Sequence, residues 1–223
     1  MSGIKAAMTI AKKDIRSQMR KKFEIFAMVL FSMVSVLAFA LASEGDVAPD
    51  AASGFLWVII FLTGMFGFSP VFLSEVESGT LRGLALTPTP AWSVYLGKVI
   101  YGFILMGVVE IFLIPIALVL MNFTFAGDLG LVALVFLMGT LDLAAVGSMA
   151  SALTMPAESK ATIYPLVYFP PAITGLILLL QITRALAVGT ILLTMGFLFQ
   201  LLLAHLIAML TLSGAVFHFA LTT

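Results

Sequence analysis

Residues 75–98 read EVESGTLRGLALTPTPAWSVYLGK, and they are flanked on both sides by long apolar runs. The stretch opens on two acids, Glu75 and Glu77. It passes through Leu81, Leu84 and Leu86 with Arg82 between them, breaks at Pro88 and Pro90, and closes on Lys98. The leucine spacing predicts a short helix, and the two prolines predict its end. It is the longest polar interruption between two apolar runs. Read on composition alone, an ordinary polar loop is the favoured reading of it.

Outward from this stretch the chain is overwhelmingly apolar. Of 223 residues 62% are hydrophobic and only 10% are charged, with a mean hydropathy of +1.19. Soluble domains run at about 45–50% apolar and about 25% charged. This composition predicts an all-α integral membrane protein. A spanning helix takes about 20 apolar residues, so six of them leave short loops and no soluble catalytic domain. The expected organisation is one transmembrane permease domain over 1–223. Eleven basic residues balance eleven acids, which gives no reason to expect a nucleic-acid partner. With no cysteine, disulfides, thiolate metal sites and cysteine nucleophiles are excluded.

Residues 1–22 hold Lys5, Lys12, Lys13, Arg16, Arg20, Lys21 and Lys22 against the single acid Asp14. Ile4, Met8, Ala11, Ile15, Met19 and Phe23 recur at steps of three or four, which is helical spacing. An apolar stripe on a basic helix predicts a helix lying in the headgroup region. Ala40-Leu41-Ala42 resembles a signal cleavage site, but the apolar run before it is longer than the usual ~7–15 residues of a signal core. Spans are expected at 23–42, 55–74, 99–121, 131–153, 163–180 and 188–217, with a tight turn at 181–187. Basic residues stay on the cytoplasmic side of short loops. An N-in, C-in arrangement places ten of the eleven inside and leaves Arg184 outside. The 75–98 segment is then cytoplasmic.

Charged residues inside spans are expensive and are functional candidates by default. Glu110 and Asp142 are the two, fitted for a proton relay, a substrate contact or a helix-pairing hydrogen bond. His205 and His218 lie in or near the last span, and histidine can ligate haem iron, but thirteen positions apart they do not share a helix face. Gly147 and Ser151 form a small-xxx-small pair that permits close helix approach. Neither GxxxxGK[ST], HExxH nor GxSxG occurs, so no recognised nucleotide site, zinc-protease site or nucleophile turn is present. No catalytic residue and no metal site are expected. If the chain uses ATP, the ATPase is a separate subunit, and a short helix lying across the membrane surface is the element that could receive its push.

Three blocks carry a family resemblance: the basic helix AKKDIRSQMRKK running into a span; ESGTLRGLALTPTPAWSVYLGKVI; and GTLDLAAVGSMASALTMP followed by YPLVYFPPAITGLI. The chain resembles permease subunits of ABC-2-type exporters and, more narrowly, the CcmB family of haem exporters of cytochrome c maturation. The resemblance extends over about residues 5–217. It implies a six-helix permease in the cell inner membrane, paired with a second copy on CcmA-like ATPase subunits. CcmC-like and CcmD-like membrane subunits and a CcmE-like haem chaperone would be further partners. It places ATPase coupling on Glu75, Glu77, Gly79, Thr80, Leu81 and Arg82. ATP would act only through the partner subunit, and haem would be a substrate rather than a resident cofactor. Other readings of the residues are an ABC-2 exporter for a lipid, glycan or drug, an ion-coupled carrier using Glu110 and Asp142, and a structural membrane adaptor.

Overall fold

The computed structural model describes residues 3–20, 22–44, 47–72, 75, 79, 89–155, 160–189 and 192–222, and the side chains of 160, 161, 192–194, 215, 216 and 218–222 lie outside that description. Glu77, Thr80, Leu81 and Arg82 therefore lie outside the described residues, as does the side chain of His218. Seven helices occur among the described residues: α1 (Gly3–Gln18), α2 (Lys22–Ala42), α3 (Pro49–Phe68), α4 (Ala91–Leu120), α5 (Leu129–Leu153), α6 (Lys160–Val188) and α7 (Leu192–Thr222). Six of them, α2 to α7, are long and apolar enough to cross a membrane. The chain is an all-α integral membrane protein.

α1 presents three faces. Ala6, Ala7, Ala11 and Asp14 are buried where the helix packs on α4. Small residues let the two backbones come close. A Cβ on Gly97 of α4 would stand 2.8 Å from the Ala7 carbonyl oxygen and 2.9 Å from Ile10 Cβ, so only glycine admits α1 here. Of the apolar stripe anticipated from spacing, Ala11 is buried and Ile15 packs against the core. Ile4, Met8, Met19 and Phe23 are exposed, and Ile15 is half-buried. In water an apolar stripe turns inward; in a bilayer it can turn to lipid. The stripe runs on into the exposed Phe26 and Leu30 of α2.

α5 is the central helix, packed against α3, α4, α6 and α7. Its small residues form the seats for large rings. Gly139 lies against Trp57, and Gly147 lies against Phe68. Trp57 in turn stacks on Phe136 with centroids 5.0 Å apart, and its Nε1 donates to Thr183 Oγ1 at 2.7 Å, tying α3 to α6. Ser151, the partner of Gly147 in the small-xxx-small pair, accepts from the Phe72 amide at 3.4 Å and donates to the Ser69 carbonyl at 3.1 Å.

Three span boundaries differ from the expectation. α3 runs from Pro49 to Phe68 rather than 55–74, because Pro49 fits the first helical turn and Pro70 lies just past the end. α4 begins at Ala91, directly after Pro90, so Ala91–Lys98 is helix rather than loop. Lys98 sits in its third turn, not at its mouth. α6 continues through the anticipated turn at 181–187, and the chain reverses at Gly189, whose φ of +78° suits glycine. Pro165, Pro170 and Pro171 lie inside α6 without ending it. Neighbouring helices re-satisfy backbone groups freed by prolines inside membrane bundles. Amides of Ala126 and Gly127 donate to the carbonyls of Ala187 and Leu186 at 3.4 and 2.9 Å, which joins the α4–α5 connection to the end of α6.

Candidate coupling site and buried polar pairs

Among the described residues, four charged side chains from three parts of the chain form a knot at the root of the 75–98 segment. Lys98 lies on α4 and is 1% exposed. Its Nζ donates to Glu75 Oε1 at 2.8 Å and to the Val71 carbonyl at 2.8 Å. It also lies 2.9 Å from Asp14 Oδ2 of α1 and 5.0 Å from the centroid of the Phe72 ring. Lys13 closes the knot from outside, 2.8 Å from Glu75 Oε1 and 3.0 Å from Asp14 Oδ1. A buried ammonium needs opposite charge and hydrogen-bond acceptors to offset its desolvation, and Lys98 has two carboxylates and a carbonyl. The segment therefore leaves α3 with its first acid fixed to both α1 and α4.

This placement changes the reading of Glu75. It was expected to contact an ATPase, but its side chain is 3% exposed and faces inward. Gly79 takes φ +67°, a left-handed conformation that glycine adopts without steric cost. Burial pushes the Glu75 carboxyl up, but the charge of Lys98 and hydrogen bonds from Lys13 and Lys98 outweigh it and hold the group at about 2. Burial pushes Lys13 down, and its bonds to Glu75 and Asp14 outweigh that and raise it.

A carboxylate held below its unfolded value stabilises the fold above that value, and the gain is lost as pH falls through the folded pKa. For Glu75 the window runs from about 4.5 down to about 2, and the full contribution is about 3 kcal/mol. Melting of the purified chain, followed by tryptophan fluorescence, is expected to fall steeply as pH drops below about 4.5. Glu75→Gln should melt lower at neutral pH and show a shallower acid slope. Identical slopes for the two proteins would refute the linkage.

Two further polar pairs lie within the spans. Thr140 Oγ1 of α5 stands 2.6 Å from Glu110 Oε1 of α4 and 2.7 Å from the Phe136 carbonyl. Both contacts run from the one Thr140 hydroxyl, which shares its proton between the carboxyl and the carbonyl. Glu110 borders an apolar groove of about 790 Å³, open on the outer face of α4 and α5, with Phe103, Gly107, Ile114, Val132 and Phe136 along it and the exposed Ile111, Leu129 and Leu137 at its rim. Asp142 of α5 is fully buried and lies 2.9 Å from His205 Nδ1 of α7. Its Oδ2 has no hydrogen-bond partner and faces Gly175 of α6, where any side chain would collide with the pair. Glu110 and Asp142 are thus separate ties, α4–α5 and α5–α7. His205 is bonded through Nδ1 to Asp142, and its ring also meets the Pro171 carbonyl of α6, so the imidazole already has partners on α5 and α6. Pairing of Asp142 with His205 left no trace in the sequence, since their helices are distant along the chain. Among the described residues no three His, Cys, Asp or Glu side chains gather as a metal site would require.

The opposite end of the bundle carries a single ion pair among the described residues, Arg184 to Asp50 at 3.2 Å, largely exposed. The one basic residue expected on the far side is thus separated from the α1–α4 knot by the length of the spans.

Comparison with known proteins converges on one family. A family model described as CcmB protein matches residues 5–223. Three curated relatives are each named heme exporter protein B. The protein from Haemophilus influenzae is 29% identical over 80% of this chain and 81% of its own length. That from Rhodobacter capsulatus is 27% identical over 70% and 72%, and that from Pseudomonas aeruginosa 28% over 74% and 75%. With six apolar helices and a family match reaching from α1 to the end of α7, this multi-pass membrane chain belongs to the CcmB family.

Proposed function

We propose that the chain is the permease subunit of a haem-exporting ABC complex acting in cytochrome c maturation. It lies in the inner membrane with both ends in the cytoplasm, and a separate CcmA-like ATPase drives it. The ATPase engages the segment between α3 and α4. The observation that carries this reading is the knot at the root of that segment: Glu75 bonded to Lys98 of α4 and to Lys13 of α1. A push on an untethered loop dissipates in the loop. A push on a segment clamped to two helices moves both. Glu75 is the positioning residue, and Glu77, Thr80, Leu81 and Arg82 supply the contacting surface. Glu110 and Asp142 keep adjacent helices in register while the bundle rearranges. A second copy of the chain, CcmC-like and CcmD-like subunits and a CcmE-like chaperone complete the assembly.

Co-expression with the ATPase tests this. Affinity-purified chain is expected to bring the ATPase with it. The variant E77A/L81A/R82A should lose ATPase recovery at least tenfold while melting within a few degrees of the parent. Undiminished recovery together with full coupled ATP hydrolysis would overturn the coupling role. Uptake by the chain alone in liposomes under a pH gradient, abolished by Glu110→Gln, would instead establish an ion-coupled carrier.

A further inference from the structure

α1 has one face that neither the protein core nor the apolar stripe occupies. Lys12, Lys13, Arg16 and Arg20 surround a shallow recess with Thr9 and Ser17, and all six residues are exposed. The only acid on α1, Asp14, is buried on the opposite side against Lys98. Glu24, across the α1–α2 break, receives a hydrogen bond from Gln18 Nε2 at 2.8 Å. Among the described residues no acid pairs with Lys12, Arg16 or Arg20. The basic face adjoins the exposed stripe Ile4, Met8 and Met19. When that stripe enters the acyl region, the neighbouring cations lie at headgroup depth.

We infer that this face binds the phosphates of anionic phospholipids, with Lys12, Arg16 and Arg20 on the headgroups and Lys13 shared between lipid and Glu75. Lipid is favoured over an acidic protein because the apolar stripe beside the cations runs on through the exposed Phe23 into Phe26 and Leu30 of the spanning helix α2, which places the neighbouring cations at the edge of the bilayer. Lys13 gives the site a consequence. It bonds Glu75 at 2.8 Å while remaining largely exposed, so a headgroup at this face touches the root of the 75–98 segment. The lipid charge around α1 then tunes how firmly that root is held.

The cysteine-free sequence permits a clean probe. The delipidated full chain, bearing one fluorophore through Met8→Cys, is titrated with phosphatidylglycerol, phosphatidylcholine and inorganic phosphate in neutral detergent. Phosphatidylglycerol is expected to bind at least tenfold tighter than phosphatidylcholine, the preference shrinking as salt rises, with free phosphate silent. The variant K12Q/R16Q/R20Q should lose about a hundredfold in phosphatidylglycerol affinity, taking roughly one basic residue's contribution three times. The charge-preserving K12R/R16K/R20K should retain it, which separates charge from folding. Equal affinity for the two lipids, a salt-independent preference, equal competition by free phosphate, or an undiminished preference in the charge-neutralised variant would each overturn the inference. So would a face that leaves phosphatidylglycerol unbound yet holds a purified ATPase through the same three residues, since it would then belong to a protein partner.

Discussion

Lys98→Met is expected to destabilise the chain by about 3–5 kcal/mol, the cost of leaving buried charge uncompensated. The methionine fills the space beside Phe72 but offers no positive charge. Asp14 and Glu75 then lose the buried ammonium between them and keep Lys13, which is mostly in solvent. The Val71 carbonyl also loses its donor. The diagnostic test is a rescue. The triple variant K98M/D14N/E75Q removes the stranded carboxylates along with the ammonium and should recover more than half of the loss, because replacing a whole buried ion cluster is often close to neutral. Thermal unfolding in detergent, followed by tryptophan fluorescence, measures both. If the triple variant is as damaged as K98M, the knot is not an electrostatic unit. Restored melting combined with lost ATPase coupling would separate the two roles of Lys98, fold and transmission.

The second large effect is expected at His205. His205→Leu leaves Asp142 buried with neither oxygen partnered, since Oδ2 already lacks one and Gly175 closes the remaining side. A stranded buried carboxylate costs about 3 kcal/mol or more. Asp142→Asn keeps a hydrogen-bonding amide against the imidazole and should cost about 1 kcal/mol. The double variant D142A/H205L removes both polar partners and should melt well above H205L alone. The ordering parent, then D142N, then the double variant, then H205L is the expected result. An H205L protein as stable as the parent would show that the pair does not tie α5 to α7.

These two predictions rest on contacts that sequence reading could reach only in part. Six apolar runs and the basic first helix were legible because hydrophobic length and charge are local properties. The start of α4 was not, because Ser93 and Tyr95 look like loop residues, although both are buried at the bundle's end. Lys98 read as the residue closing the polar segment before the span at 99–121, and its true setting depends on Asp14 and Glu75 arriving from elsewhere in the chain. Glu75 looked like a surface contact for the same reason. The α1 stripe was read as the apolar side of a helix lying in the headgroup region, and Ile4, Met8, Met19 and Phe23 are exposed, but the spacing gave no sign of the second face that packs on α4. The small residues Ala6, Ala7 and Ala11 mark the packed face, a signal that steps of bulky residues conceal. Asp142 was visible as an intramembrane charge, and its partner was not, since pairing across helices depends on tertiary register.

The central claim is that the segment between α3 and α4 lies in the cytoplasm and is clamped at its root by Lys98. With no native cysteine, Arg82→Cys supplies a unique thiol in that segment. Membrane-impermeant maleimide applied to intact cells and to inverted inner-membrane vesicles reads its side directly. Labelling in the inverted vesicles, suppressed when the ATPase is bound, is the predicted result; labelling in intact cells would contradict the account.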